Sequence, residues 1–292
     1  MKRLGRMLAL FCLTALFLAG TAAADAGPKP QLIVRIVNGP EELYYLDILA
    51  QGEYQGHTYD GVQWSYSDEE AAALDQTLLE ALRAAVPEGW HACTAEGSTG
   101  APMWGDLKGE KGIHTFGYVG VPDTYRILIV TKSGESWISP VLERKALQSS
   151  VTVDWSEKTA KAPPAWAGYV LQFLATLVPT LLIEGILLLA FGFDWKKNWR
   201  AFLLVNLVTQ GALAVFLSYN FITTGVHWVL MLFLFPLAEV AITIVETALY
   251  VKLLDGGSRA KKAAYGLTAN AASAIIGWFL AGPVWQWIVS IS

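Results

Sequence analysis

The chain has 292 residues, 54% of them hydrophobic and only 16% charged, with a net charge of -4 and the apolar residues crowded into its second half. That composition points to a membrane protein. No basic block exceeds a few residues, which excludes a nucleic-acid partner.

Residues 1–24 read as an export signal. Lys2, Arg3 and Arg6 form the positive region, Met7 to Ala19 the apolar run, and Ala22, Ala23 and Ala24 the small-residue cleavage site. Cys12 leaves with the signal, so Cys93 remains alone and an intramolecular disulfide is excluded.

Residues 25–156 have the texture of an exported α+β domain, a small mixed or antiparallel sheet with one amphipathic helix. Leu32 to Val37 and Leu43 to Ala50 are strand candidates, and the Asn38-Gly39-Pro40 turn between them predicts a hairpin. Ser67 with Glu70 three residues on forms a capping box. Leu74, Leu78 and Leu82 then repeat at helical spacing, predicting one helix that ends near Pro87. A Gly-rich passage, 97–112, reads as loop. Strand texture returns at His114 to Val121, at Tyr125 to Thr131, in ESWISPV after Ser133-Gly134, and at Ser150 to Asp154. His57, His91, Cys93 and His114 show no repeated ligand spacing, and Asp47 and Asp123 to Arg126 read as strand-face and turn residues.

Residues 157–164 form a polar linker, and residues 165–292 carry four apolar stretches: Trp166 to Phe193, Ala201 to Phe221, Val226 to Leu253 and Ala263 to Ile291. This predicts an all-α four-helix transmembrane bundle. Trp166, Trp195, Trp199, Trp228, Trp285 and Trp287 lie near the ends, where interfacial aromatics belong. Loops 194–200 and 254–262 hold Lys196, Lys197 and Arg200, and Arg259, Lys261 and Lys262, whereas SYNFITTG between the second and third stretches has neither Lys nor Arg. The positive-inside rule puts those two loops in the cytoplasm and the N-terminal domain and C-terminus outside the plasma membrane.

With that orientation, depth is counted from the cytoplasmic ends. At about 1.5 Å per residue, Glu184 lies roughly 15 Å in, Asn206 and Gln210 roughly 8 and 14 Å, Glu246 and Glu239 about 10 and 21 Å, and Asn270 and Ser273 about 10 and 15 Å. Asn206 and Gln210 share a helix face at i, i+4; Glu239, Thr243, Glu246 and Tyr250 share another; and Ala269, Ser273, Gly277 and Ala281 form a small-residue ladder for close helix approach. A carboxylate facing lipid costs roughly 2.5 to 3.5 kcal/mol at the bilayer centre, so these groups face one another. The candidate site is therefore an intramembrane polar cluster of Glu184, Asn206, Gln210, Glu239, Glu246, Tyr250, Asn270 and Ser273.

Two functions fit that cluster: handling of a cation, proton or small polar solute, or a non-transporting scaffold or sensor in which buried polar groups only fix helix register. Four spans make a narrow pathway, which a homo-oligomer or a partner membrane subunit would complete. No H-E-x-x-H, Walker loop or G-x-S-x-G occurs, so no catalytic, metal or cofactor site is indicated and an intramembrane enzyme is the weakest reading.

Asn206-x-x-Thr209-Gln210, Glu239-x6-Glu246-x3-Tyr250 and Asn270-x-x-Ser273-x3-Gly277 together resemble a class of bacterial multi-span membrane proteins with an exported N-terminal domain. The similarity covers roughly 164–277, and the passage GVPDTYRILIVTKSGESWISPV resembles the companion domains of that class more loosely. The resemblance implies that the polar positions act as one set. It brings no activity with it.

Overall fold

In the N-terminal part, the first two strands do not pair with each other; each finds its main partner far along the chain. The computed structural model of the chain describes residues 29–52, 59, 61–98, 100–224 and 228–291, and the side chains within them except 220–224, 228–236, 278, 281–282, 285 and 290–291. The export signal expected at 1–24 lies outside the described residues. Strand β1 is Gln31–Val37 and β2 is Tyr44–Gln51, followed by β3 Trp90–Ala92, β4 Trp104–Gly105, β5 Ile113–Gly117, β6 Thr124–Thr131, β7 Ser136–Ile138, β8 Leu142–Glu143, β9 Gln148–Asp154 and β10 Thr159–Lys161. They form two sheets, ordered β10-β9-β1-β5-β4 and β3-β2-β6-β7, with β8 also pairing β6. The first sheet is mixed, because β1 runs parallel to β9 and antiparallel to β5. All pairs of the second are antiparallel.

The hairpin expected between β1 and β2 is absent, since the two strands belong to different sheets. Asn38 takes φ 49 and donates to Asp154 Oδ2 at 2.9 Å, so the turn carries the chain from one sheet to the other. Alternation explains the layering. Leu46 and Ile48 of β2, with Ile127 and Ile129 of β6, face Leu32, Val34, Phe116, Val151 and Val153 of the first sheet in one core. Tyr45, Leu49, Leu128 and Val130, on the opposite face, pack under helices in a second core. A sheet buried on both faces needs the near-continuous apolar run that β6 carries.

Three short helices cover that face: α1 Gly61–Ser65, α2 Asp68–Ala72 and α3 Gln76–Ala84. The single helix expected after Ser67 is thus broken. Its capping box forms as expected, but Asp75 adopts an extended conformation and accepts from the Leu78 N–H at 3.2 Å, which starts a new helix. Leu74, Leu78 and Leu82 are buried all the same. The Ser133-Gly134 turn connects β6 to β7 as expected, with Gly134 at φ 93. The passage read as loop holds β4, and the stretch read as linker holds β10, which pairs with β9 and carries the domain on to Lys161.

The second part is helical. Its long helices are α4 Ala165–Ala190, α5 Trp195–Thr224, α6 Trp228–Leu253 and α7 Arg259–Ile291. Among the described residues, α4 and the Trp195–Tyr219 portion of α5 are long and apolar enough to cross a membrane. The connections are shorter than the sequence implied. Lys196, Lys197 and Arg200 lie in the first turns of α5, and Arg259, Lys261 and Lys262 in the first turns of α7. Asp194 and Ser258 cause this: Asp194 Oδ1 accepts from the Lys196 N–H at 2.8 Å and Ser258 Oγ from the Lys261 N–H at 3.2 Å, capping each helix just ahead of its cations.

Candidate functional site

A glycine sets how closely two of these helices meet. A Cβ on Gly266 of α7 would lie 2.8 Å from Thr247 Oγ1 and 2.9 Å from Thr247 Cα on α6, so only hydrogen fits at the crossing. Tyr265, next to it, is fully buried and packs, its ring tilted by 58°, at 5.0 Å between centroids against Tyr250, also fully buried. Phe191 and Phe193 meet the Tyr265 ring edge-on at 5.8 and 5.7 Å. This aromatic layer belongs to an apolar core with Leu188, Phe202, Val205, Leu254 and Ala269.

Against this layer sits a polar cluster to which all four long helices contribute. Glu184 of α4 is fully buried. Its Oε2 accepts from Asn206 Nδ2 of α5 and from Tyr250 OH of α6, both at 3.2 Å, and its Oε1 accepts from Ser273 Oγ of α7 at 3.0 Å. Asn206 Nδ2 also donates to Tyr250 OH at 2.7 Å and to Phe202 O at 3.1 Å. Tyr265 OH donates to the Glu184 backbone carbonyl at 3.3 Å. Glu184 is the point at which the helices are tied together.

Glu246 of α6 is equally buried but differently supplied. Thr209 Oγ1 of α5 donates to its Oε1. Among the described residues its Oε2 has no hydrogen-bond partner, and neither does Asn206 Oδ1. Gln210 and Asn270 turn their amides toward this carboxyl without closing a bond of normal geometry, while Asn270 Nδ2 donates to Gly266 O at 3.0 Å. No family model matches the chain, and neither the curated proteins nor the solved structures hold a match. The chemistry of the site is read from its own atoms.

Of the expected residues, Glu184, Asn206, Tyr250 and Ser273 are joined by hydrogen bonds, with Glu246, Asn270 and Gln210 beside them. Glu239 is not brought in. It is half-buried, its side chain has no hydrogen-bond partner among the described residues, and its backbone carbonyl takes the Thr243 hydroxyl at 2.8 Å. Two helical turns, about 10 Å of rise, separate it from Glu246. The small-residue ladder is also only partly used. Ala269 and Ser273 are buried, but a Cβ on Gly277 would meet nothing within 4 Å among the described residues, and the side chain of Ala281 is not among those described.

Residue types alone did not mark Tyr265, Gly266 and Asn198. Tyr265 stands four before Ala269 and eight before Ser273, a spacing that puts it on their face. Asn198 is fully buried and ties two connections together: its Nδ2 donates to Asp194 O at 3.0 Å and Asp255 O at 3.2 Å, and its Oδ1 accepts from the Asp255 N–H at 2.6 Å. Lys261 Nζ sits 4.8 Å from the Phe193 ring centroid, and Lys262 donates to Leu254 O.

In the N-terminal part the polar residues hold structure. Asp47 is fully buried, and its carboxyl accepts from the backbone N–H groups of Ile48 at 2.8 Å, Thr94 at 2.9 Å and Ala95 at 2.7 Å. Burial pushes its pKa up to about 7 against the pull of those bonds. Arg144 pairs with Asp123 at 2.5 Å and donates to Ala146 O and Leu147 O. Cys93 is buried and its thiol pKa is pushed well above the usual range by desolvation. Burial also lowers the pKa of His114, whose ring bonds Asp106 O at 2.9 Å and Tyr44 OH at 3.2 Å. Among the described residues no group of three or more His, Cys, Asp or Glu is placed to hold a metal; His57 lies outside them.

Proposed function

We propose that the chain is a multi-span plasma-membrane protein whose exported domain senses or binds a ligand outside, while the cluster around Glu246 handles a proton, a cation or a small polar solute. In this reading α4 to α7 cross the membrane, residues 25–156 and the C-terminus lie outside, and the basic ends 194–200 and 254–262 face the cytoplasm. The two apolar helices support it, as do the half-exposed Trp195 and Trp199 beside the basic residues and the exposed Trp166 and Trp287. The resemblance to bacterial multi-span proteins with exported domains belongs to the same proposal.

The observation that carries the functional half is the unpartnered pair of buried acceptors, Glu246 Oε2 and Asn206 Oδ1. A buried polar atom without a partner costs about 1 to 3 kcal/mol, so a group kept only for helix register should be satisfied, as Glu184 is. Reconstitution of the full chain in vesicles with a trapped pH dye, under an imposed proton or sodium gradient, tests this. Dissipation that Glu246→Gln abolishes supports handling. Equal dissipation in wild type and variant contradicts it.

The scaffold reading keeps one specific support, the saturated hydrogen bonding of Glu184. That residue is structural in both readings. A homo-oligomer or a partner subunit would complete the pathway through so few helices.

A further inference from the structure

We infer that the ligand of this cluster is a proton carried on Oε2 of Glu246, an inference that rests on the handling role proposed for the site. Apart from the Gln210 and Asn270 amides that turn toward the carboxyl, the hydrogens around it are already committed. Thr209 has one hydroxyl hydrogen, and its oxygen lies within bonding range of Glu246 Oε1, Val205 O and Asn206 O. Ser273 has one, facing Glu184 Oε1 and Asn270 O, and the two amide hydrogens of Asn206 face three acceptors. The atoms left over, Glu246 Oε2 and Asn206 Oδ1, are both acceptors. No donor closes a bond to either oxygen, and protonation of Glu246 supplies one: the carboxylate takes up a proton delivered from the aqueous phase and its new O–H can donate to an amide oxygen on the face of α5 that already holds it through Thr209.

A metal cation fits less well. Oxygen-ligated cations such as Ca²⁺ or Mg²⁺ take about six lone pairs. The other unpartnered oxygen nearby, Thr247 Oγ1, lies at the Gly266 crossing, and both oxygens of Glu184 are occupied by donors. The titratable groups around Glu246 are Glu184 on α4, Tyr250 and, two turns away, Glu239 on its own helix, and Tyr265 on α7; α5 brings Asn206, Thr209 and Gln210, all uncharged. No cation faces it among these groups.

The test is an infrared difference spectrum of the detergent-solubilised full chain between acid and alkaline buffer, with sodium as the competing probe. The inference predicts a carboxylic-acid C=O band that titrates in wild type, loses amplitude in Glu246→Gln, and keeps its midpoint when sodium is raised. Thr209→Val keeps Glu246 and removes its donor, so the band should shift in frequency; this reads the site even where Glu246→Gln fails to fold. A band that sodium displaces, or a melting temperature that sodium raises in wild type alone, makes the ligand a metal cation: the inference falls and the handling role stands. A band unchanged by both variants overturns the inference, and the vesicle assay then decides separately whether the handling role survives.

Discussion

Ser273 donates to Glu184 Oε1 at 3.0 Å across eighty-nine positions of sequence, joining the first long helix to the last. Because the other oxygen of Glu184 takes Asn206 and Tyr250, one carboxyl answers donors from three helices besides its own. Removing it strands the Tyr250 hydroxyl and leaves Asn206 and Ser273 only their bonds to Phe202 O, Tyr250 OH and Asn270 O. Glu184→Ala should therefore destabilise the detergent-solubilised chain by about 1 to 3 kcal/mol, while Glu184→Gln loses less. Thermal unfolding measures the difference.

Gly266 tests the crossing itself. Its missing Cβ leaves room for Thr247 at under 3 Å. Gly266→Ala should cost about 1 to 3 kcal/mol by overpacking, and Gly266→Val more, because the collision includes backbone that cannot rotate away. A melting series of the three side chains should fall in that order.

Asn198 predicts a local effect. Asn198→Ala removes the bonds to Asp255 N–H and O that hold the connection between α6 and α7. Hydrogen exchange at Asp255 should rise by about tenfold, from the loss of about 1 to 2 kcal/mol of local protection, with little change at Glu246.

Asp47 predicts a pH dependence in the N-terminal part. Its folded pKa, about 7, lies above the ordinary carboxylate value, so the stability it contributes is complete in acid and is lost as pH rises through about 7. His114, lowered by burial, acts in the opposite sense and loses stability as pH falls through the ordinary imidazole value. Asp47→Asn removes only the first effect. The melting difference between wild type and this variant should shrink as pH is raised from about 4 to about 8, where a constant gap would contradict the assignment. Asp47→Ala strands the Ile48, Thr94 and Ala95 N–H groups and should be the more damaging change at every pH.

Much of the helical part is legible in the sequence, because apolar length and i, i+4 spacing act locally. Asn206 and Glu246 share their faces with Gln210 and Tyr250 as the spacing requires, and Glu184, Asn206, Tyr250 and Ser273 do meet. Spacing along one helix gives a face but not a distance to another helix, which is why Glu239 reads as a member yet makes no hydrogen bond to the others among the described residues. At the connections the local signal is the cap: Asp194 and Ser258 start their helices before the cations. In the N-terminal part, strands such as β1 and β6 are visible from β-branched runs, but their partners are not. Pairing of β1 with β9 spans more than a hundred residues, and no local pattern encodes it. A break such as the one at Asp75 depends on one side chain choosing the Leu78 N–H over the continuing helix.

The meeting of polar side chains from separate helices is tested most directly by a double-mutant cycle on Glu184→Ala and Ser273→Ala, read by reversible unfolding of the full chain in detergent. Direct contact predicts a coupling energy above about 0.5 kcal/mol, whereas the cycle on Glu239→Ala and Ser273→Ala should be additive within about 0.5 kcal/mol. Additivity in the first cycle would mean that Glu184 and Ser273 do not meet, and the shared cluster would not exist.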